Sequence, residues 1–575
     1  MHKDFRKSVY RVGILAVALV MILAIAAACT STPPAATEAP TAPVATQAPA
    51  EPVATEAPAE PVATEAPAEP AGTEAPATTG ECTPTGEVKR GGELRLARLE
   101  EPLTMDPVGP SDNGSIYLIE QVYESLIEPD GTGAGLVPGL ADSWEVSADE
   151  LVYTFTLRDA KFSTGDPVTT DDVLFSLNRA ANGDVSPYAF LFGSVDKMEA
   201  VDAKTIKITL KEPNAAFLSS LAVFTAGITP KAAVEADPEG FGNHPIGSGP
   251  FMVEEYTRGD QVVLVPNPYY TKMGLDCKPM PYLDKVTVKY VPESNSRVLG
   301  LRNGDFDVID NVPFNEGKAL DAEAEISLGT DEIYKLDYLY INHQRKPFDN
   351  KDFRLALNYA TDRQAILDTV FFGYGSLPNS FMPKMNFWDP NVELIPYDPE
   401  LAKEHLAKSG YDGTSFEILV PAGDAPRKQI AQILQQNWSA IGINTTIVEM
   451  DIGAAWQKVM AGEYDVEVNY ITSDINDDDE LATFQGDYWA AGDSHAFYSW
   501  YQSQEVADIL KQARQTSDPV QRGSLYSQAQ KIAYWDGYSV PFNFTPALTG
   551  YWDYLKSWRT LTTGWWWLEV VWMDK

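Results

Sequence analysis

The stretch that decides the fold is PGLADSWEVSADELVYTFTLRDAKFSTGDPVTTDDVLFSLNR, residues 138–179. Within it, VYTFTLR (152–158) alternates polar and apolar residues, which is the pattern of a strand with one buried face. TTDDVLFSLNRA (169–180) has helical spacing, with Thr170 as the predicted N-cap and acidic residues in the first turn. A strand and a helix in one short block favour a mixed α/β fold.

The same mixture continues on both sides of this block. Apolar residues recur at strand spacing in four further segments, 92–99, 205–210, 261–267 and 285–291. They recur at helical spacing in 115–126, 352–371, 399–410, 427–442 and 521–535. We therefore predict an α/β body in which strands and helices are interleaved.

The N-terminal residues differ in composition from this body. Residues 1–28 have a basic start, an uncharged run and three alanines before Cys29, which is the layout of an export signal. The closing IAAAC resembles a lipobox, so we predict a lipoprotein signal peptide with lipidation at Cys29; an uncleaved anchor helix is the alternative. Residues 29–90, rich in Pro, Ala, Thr and Glu, are predicted to be a disordered spacer. Both interpretations place the body outside the cytoplasm, tethered to the cell membrane.

Composition and motifs exclude several classes of function. A net charge of −39 argues against nucleic acid and anionic lipid as partners. The five histidines show no zinc spacing, and HExxH, GxSxG and Walker A motifs are absent. TSDINDDDE (472–480) lacks the glycine and glutamate of an EF-hand, which leaves a looser cation site or a solvated loop. Export permits a disulfide between Cys82 and Cys277, which the sequence does not decide. We expect that the protein is not an enzyme and that it binds neither a cofactor nor a metal ion.

Six segments in order resemble the family 5 extracellular solute-binding proteins, the peptide, nickel and oligosaccharide receptors of ABC importers. The segments are 101–107 (EPLTMDP), 138–179, 244–270 (beginning HPIGSGP), 340–366 (beginning YINHQRKPFD), 397–411 and 518–532. The resemblance covers nearly all of 91–575. It implies a monomeric receptor that delivers its ligand to the permease and ATPase subunits of an importer. Arg158, Arg354 and Asp362 are expected to form structural ion pairs rather than ligand contacts.

The resemblance also implies an architecture of three lobes in a periplasmic-binding-protein-like fold. Lobe I would consist of 91–135, 245–330 and 535–575, with lobe II inserted as 136–244 and lobe III formed by 331–534. The ligand would lie between lobes I and III, which close over it by a hinge. The glycines of IGSGP are expected where the chain bends between lobes.

In peptide receptors of this family, an aspartate in a WTGDNGDPD-like segment binds the α-ammonium group of the ligand. By its spacing, ITSDINDDDEL (471–481) places Asp474 at that aspartate, although Ile471 replaces the tryptophan and Asp478 the proline. Dipeptide receptors also hold the ligand carboxylate with an arginine, and here only Arg427 lies nearby. We interpret Asp478 and Asp479 as solvated or loop-structuring acids. An oligopeptide is therefore the predicted ligand.

Two alternatives compete with a peptide. Nine of the 13 tryptophans lie between Trp489 and Trp572, and an oligosaccharide receptor would stack its ligand on such residues, Trp489 among them. Core packing explains most of them equally well. A surface hydrolase, the alternative from another class, would need a nucleophile or metal site that the motif search does not find.

Overall fold

The computed structural model describes residues 84–109, 112–133, 135–482 and 499–575, without the side chains of 481 and 482. The predicted signal peptide, Cys29, most of the spacer and Trp489 lie outside the described residues. Cys277 forms a disulfide bond. Cys82, like Cys29, lies outside the described residues. None of the helices in the described ranges is long and apolar enough to cross a membrane.

The strands carry the labels β1 to β20 in chain order. They are β1 (Glu93–Arg98), β2 (Ile127–Pro129), β3 (Leu136–Pro138), β4 (Ala141–Val146), β5 (Val152–Leu157), β6 (Val195–Ala200), β7 (Thr205–Leu210), β8 (Phe251–Thr257), β9 (Gln261–Pro266), β10 (Lys285–Tyr290), β11 (Val308–Ile309), β12 (Ile326–Asp331), β13 (Lys335–Ile341), β14 (Phe416–Pro421), β15 (Thr445–Met450), β16 (Val466–Thr472), β17 (Val540–Phe544), β18 (Ala547–Trp552), β19 (Leu555–Lys556) and β20 (Trp572–Met573). All five strands predicted from alternation are confirmed.

The helices lie between these strands along most of the chain. They are α1 (Asn113–Val122), α2 (Thr170–Ala180), α3 (Phe217–Ser220), α4 (Lys231–Ala236), α5 (Ser294–Arg302), α6 (Phe314–Asp321), α7 (Lys351–Tyr359), α8 (Arg363–Thr369), α9 (Pro399–Ser409), α10 (Ala425–Ser439), α11 (Ile452–Met460), α12 (Asp479–Ala482), α13 (Gln504–Arg514) and α14 (Pro519–Trp535). The interleaved α/β body is confirmed.

Three large sheets organise the described chain. Seven strands pair in the order β12-β18-β11-β1-β10-β9-β8, and five pair in the order β15-β14-β16-β13-β17. Segment 141–210 supplies a four-stranded antiparallel sheet, β4-β5-β7-β6. Each large sheet draws on chain segments that match one predicted lobe, except that β17 pairs with β13. Val540–Phe544 therefore joins the five-stranded sheet rather than the sheet of lobe I, where the predicted boundary at 535 would place it.

The five-stranded sheet is buried on both faces. Leu339 and Ile341 of β13 belong to one apolar cluster, whereas Tyr338 and Tyr340 belong to another. Successive strand residues point to opposite faces, so one strand supplies both cores. Helices cover each side, and this sheet forms a rigid base for the loops at its strand ends.

Two helix predictions needed correction. The single helix predicted at 352–371 is two helices, α7 and α8, because Asp362 caps the second by accepting a hydrogen bond from the Ala365 amide at 2.9 Å. Asp362 is thus an N-cap, not the expected ion-pair partner. The N-cap of α2 is Thr169, not Thr170, and a capping box with Asp172 fixes it.

The other two expected structural pairs are present. Arg158 donates to Glu124 at 2.5 Å, and Arg354 donates to Asp536 at 2.8 Å. The IGSGP segment packs against the end of α1, where a Cβ on Gly247 would come within 2.0 Å of the Val122 carbonyl oxygen. Gly249 also donates its amide to that oxygen at 2.9 Å. Close backbone approach therefore requires these glycines.

Candidate ligand-binding site

The segment 473–480, here called the acidic loop, follows β16 and runs into α12. Strand β16 lies in the middle of the five-stranded sheet, so the loop starts at the centre of a sheet edge. All eight of its residues are buried, and Asp478 has no exposed surface. The expectation that Asp478 and Asp479 are solvated is wrong, whereas their role in structuring the loop is visible in the contacts below.

Two acids of the loop are neutralised by arginines from the last helices. Arg522 of α14 donates to both carboxylate oxygens of Asp477 at 2.6 Å. Arg514 at the end of α13 donates to Asp479 at 2.9 Å. The Arg522–Asp477 pair is buried and bidentate, which is the strongest form of such a contact, whereas the Arg514 side chain of the second pair is 21% exposed. Helices α13 and α14 therefore fix the position of the acidic loop through these two ion pairs.

Hydrogen bonds fold the loop back on itself. One carboxylate oxygen of Glu480 accepts from the Ser473 hydroxyl at 2.6 Å and from the amides of Asp474 and Ile475 at 2.9 and 3.2 Å. Asp478 accepts from the Phe387 amide at 3.3 Å. Burial, together with the nearby charge of Asp477, raises the pKa of the Asp478 carboxyl to about 7. These acids hold the backbone of the loop in place.

Asp474 differs from its neighbours in its partners. Its carboxylate accepts a hydrogen bond from the Tyr188 hydroxyl at 2.7 Å, and no lysine or arginine of the described chain pairs with it. Burial raises the pKa of the Asp474 carboxyl, and the Tyr188 hydrogen bond offsets part of that rise. The side chain is only 6% exposed. A buried carboxylate without a counter-ion is costly, and a bound cation would relieve that cost.

Sequence reasoning missed Tyr188. It comes from the predicted lobe II, 286 residues away from Asp474 along the chain. Its ring meets the edge of Phe224 at a centroid distance of 4.9 Å, which fixes the direction of the hydroxyl. No sequence signal marks this contact, because only the fold brings segments so far apart together.

Arg427 lies beside β16, which is the strand that leads into the acidic loop. The guanidinium lies over the Tyr470 ring, 4.9 Å from its centroid, and its Nε is 3.4 Å from Asp424. The Lys335 ammonium lies 4.4 Å from the same centroid. Two cations therefore contact the ring of Tyr470, four residues before Asp474 along the chain. Arg427 of helix α10 thus lies over a ring of β16, and Asp474 lies in the loop that follows this strand.

The tryptophans give less support to a sugar site. Trp558, Trp565 and Trp566 are buried and belong to the largest apolar cluster. Core packing is therefore their role in the described chain, as the alternative interpretation expected.

Among the residues that the structure describes, no group of three or more His, Cys, Asp or Glu side chains could hold a metal ion.

Comparison with known proteins agrees with this architecture. The family model for bacterial extracellular solute-binding proteins, family 5 Middle, matches residues 135–491. The probable D,D-dipeptide-binding periplasmic protein DdpA of Escherichia coli K12 is 32% identical over 454 residues, or 76% of this chain and 86% of DdpA. The glutathione-binding protein GsiB of Salmonella typhi is 30% identical over 470 residues, or 78% of this chain and 90% of GsiB.

A solved structure shows the same fold. The ABC transporter-associated periplasmic binding protein DppA of Helicobacter pylori, in complex with peptide STSA, superposes with a TM-score of 0.76 at 27% identity. The match covers 85% of this chain and 99% of DppA. The chain is thus a binding protein of ABC transport that acts outside the cytoplasm, not an enzyme. It belongs to family 5 of the bacterial extracellular solute-binding proteins.

Proposed function

We propose that this chain is a receptor for short peptides with a free amino terminus and that Asp474 binds the terminal ammonium group. The observation that carries the proposal is the contrast within the acidic loop. Asp477 and Asp479 have arginine partners, whereas Asp474 has only the Tyr188 hydroxyl within the described chain. A ligand ammonium would supply the missing positive charge, and a charge-assisted hydrogen bond in a dry site is strong.

The relatives support a peptide as the ligand class. DdpA is named for D,D-dipeptides and GsiB for glutathione, and DppA was solved with the peptide STSA. All three ligands carry an amino-terminal end and a carboxyl-terminal end.

We assign the carboxylate end of the ligand to the neighbourhood of Arg427. Its guanidinium has one long ion pair, with Asp424, and its side chain is 12% exposed. Such a group retains donors for a ligand carboxylate. Arg427 lies over Tyr470 of β16, and Asp474 lies in the loop that follows this strand, so the pair would provide opposite charges for the two ends of a peptide.

We also propose that the receptor is a lipoprotein. The arguments are the lipobox-like IAAAC ending at Cys29 and the spacer that follows it at once. The spacer would let the body stand away from the membrane while it delivers ligand to the permease and ATPase subunits of its importer.

The decisive experiment is calorimetry with Asp474→Asn, which keeps the shape and removes the charge. Affinity for free-amine tri- and tetrapeptides should fall about 30-fold or more, because the ligand ammonium loses its counter-charge. N-acetylated peptides should bind the wild type poorly and discriminate little between the two proteins.

Asp478→Asn is the matched control, since it lies in the same loop, is buried and also lacks an arginine partner. It should change peptide affinity by less than about threefold. Equal affinity of wild type and Asp474→Asn for every peptide that binds would refute the assignment. Binding of cello-oligosaccharides alone would refute the peptide proposal as a whole.

A further inference from the structure

Cys277 lies in the turn of a hairpin, residues 272–280, between β9 and β10. The Gly274 amide donates to the Lys278 carbonyl at 2.9 Å, and the Cys277 amide donates to the Gly274 carbonyl at 3.0 Å. Cys277 has a φ of 60°, which is the left-handed region that favours glycine. The turn therefore gives no reason for a side chain at this position, whereas the disulfide bond of Cys277 does.

The first described residues after the spacer lie against this hairpin. The Thr85 amide donates to the Leu275 carbonyl at 3.0 Å, and a Cβ on Gly86 would lie 3.5 Å from the Leu275 side chain. Arg90 donates to both carboxylate oxygens of Asp276, at 2.6 and 2.8 Å. The start of the described chain is thus held beside the turn of the hairpin.

The sequence offers two partners for the disulfide of Cys277, namely Cys29 and Cys82. Cys82 precedes Thr85 by three residues, a length of chain that spans at most about 11 Å. Leu275, which accepts from Thr85, is two residues from Cys277. A disulfide joins Cα atoms about 4.4–6.8 Å apart, so Cys82 is within reach of the hairpin. Cys29 lies much further back in the chain, and the proposed lipid attachment would use its thiol.

We propose that Cys82 and Cys277 form a disulfide clasp that fixes the end of the spacer to the hairpin. Each thiol loses a proton and the two sulfur atoms together lose two electrons. An exported thiol oxidoreductase takes up both, and its own disulfide becomes a dithiol. The chain acts outside the cytoplasm, where such bonds persist. The inference is independent of the proposed ligand and uses the proposed lipidation only to exclude Cys29.

The clasp gives the body a second covalent connection to the spacer. Residues 30–88 contain neither Lys nor Arg, so Lys89 and Arg90 are the first trypsin sites after Cys29. A cut at either site breaks the backbone between spacer and body. Because Cys82 precedes these sites and Cys277 follows them, the body should stay attached to the spacer until the disulfide is reduced.

Peptide mapping of the full chain without reductant tests the bond directly. Trypsin with a glutamate-specific protease separates Cys29 from Cys82, which falls in peptide 82–87, while Cys277 falls in peptide 273–285. We expect a species that joins 82–87 to 273–285 and that separates into the two peptides on reduction. A free thiol at Cys82, or a dimer linked through Cys277, would overturn the clasp. A bond from Cys29 to Cys277 would overturn both the clasp and the proposed lipidation.

Trypsin treatment of washed membranes tests the consequence. After cleavage at Lys89 or Arg90, the wild-type body should stay in the pellet and move to the supernatant only when a reductant is added. In Cys82→Ser, the same cleavage should release the body without reductant. Thr83→Ala is the matched control, because it changes the neighbouring residue and keeps both thiols, and it should behave as the wild type.

N-terminal sequencing of the body verifies the cut in each sample. Release of the cleaved wild-type body without reductant would overturn the clasp. Retention of the cleaved Cys82→Ser body would overturn it as well, since noncovalent contacts would then hold the spacer. The peptide map does not depend on membrane attachment, so its result is separate from that of the lipoprotein proposal.

Discussion

At the level of single residues, the acids of the acidic loop show how partners decide what a carboxylate does. Asp477 and Asp479 meet arginines, Glu480 accepts three hydrogen bonds from the loop itself, and Asp474 meets a tyrosine hydroxyl. The same residue type therefore serves structure at most positions, whereas Asp474 has no cationic partner within the described chain.

We predict that Asp477→Asn destabilises the protein strongly. The substitution leaves the Arg522 guanidinium buried without its bidentate partner, which typically costs about 3–5 kcal/mol. Urea denaturation measures the free energy of unfolding. Glu400→Gln is the control, because it breaks an exposed pair with Lys403 and should cost less than about 1 kcal/mol. Similar losses in the two variants would contradict the importance of the buried pair.

We predict that the ligand-free protein loses stability as pH rises from about 4 to about 7. The pKa of the Asp478 carboxyl is about 7 in the folded protein against an ordinary 3.8, because burial disfavours its charge. The folded state therefore holds a proton that the unfolded state has released, and the free energy of unfolding falls with pH in this window. Glu467, whose pKa burial also raises to about 7, acts in the same direction.

Asp478→Asn cannot titrate, so its melting temperature should fall less between pH 5 and pH 8 than that of the wild type. Asp412→Asn, a substitution of an exposed loop acid, should follow the wild-type profile over this range. A steeper fall in Asp478→Asn than in the wild type would show that the carboxyl is not protonated in the folded state at neutral pH.

At the level of elements, helix α2 begins one residue earlier than its sequence suggests. The Thr169 side chain accepts a hydrogen bond from the Asp172 amide, and the Asp172 side chain accepts one from the Thr169 amide at 3.0 Å. Two backbone amides at the start of the helix, which have no partner within it, thereby gain hydrogen-bond acceptors. Either threonine of TTDD is chemically able to cap. The backbone of Thr169 is extended, as is usual for an N-cap, whereas Thr170 already belongs to the helix, and this difference makes Thr169 the cap.

We predict that Thr169→Ala lowers the free energy of unfolding by about 1–2 kcal/mol, since the helix loses its side-chain cap. Thr170→Ala is the matched control, because Thr170 is the first helical residue and its hydroxyl has no capping role. It should cost less than about 0.5 kcal/mol. The reverse order of the two losses in urea denaturation would restore Thr170 as the cap.

At the level of the whole molecule, the segment predicted as lobe II contacts the segment predicted as lobe III at several points. Tyr188 donates to Asp474, the Ala215 amide donates to the Arg514 carbonyl at 2.8 Å, and Gln515 donates to Glu212 at 2.6 Å. Arg514 also holds Asp479 of the acidic loop. The inserted segment therefore touches both the loop and the helix end that supports it.

We predict that Cys29→Ala releases the protein from membranes when the full chain is expressed in a bacterial host. Cys29 is the proposed attachment point of the lipid, so removal of its thiol should abolish the attachment, and none of the described helices is long and apolar enough to cross a membrane. Fractionation with immunodetection measures the distribution. A variant that still sediments with membranes would show that the apolar run near the N-terminus is an uncleaved anchor.

The sequence by itself was sufficient for the fold class and for two of the three expected structural ion pairs. Alternation and helical spacing are local properties, so the five predicted strands and the α/β character followed from neighbouring residues. The assignment of Asp474 came from the resemblance of ITSDINDDDEL to the motif of the family's peptide receptors, and it stays a prediction. The ion pairs of Arg158 and Arg354 are present in the structure as expected.

Only the tertiary structure decided which of these residues have partners. The pairing of Arg522 with Asp477 and the contact of Tyr188 with Asp474 both join elements far apart in the chain. Burial likewise depends on what packs over a residue, which is why a run of acids that looks solvated in the sequence is buried in the fold. The charge of a side chain and its spacing along the chain are local properties of the sequence. Whether that charge meets a partner and whether it is removed from water depend on packing between distant segments.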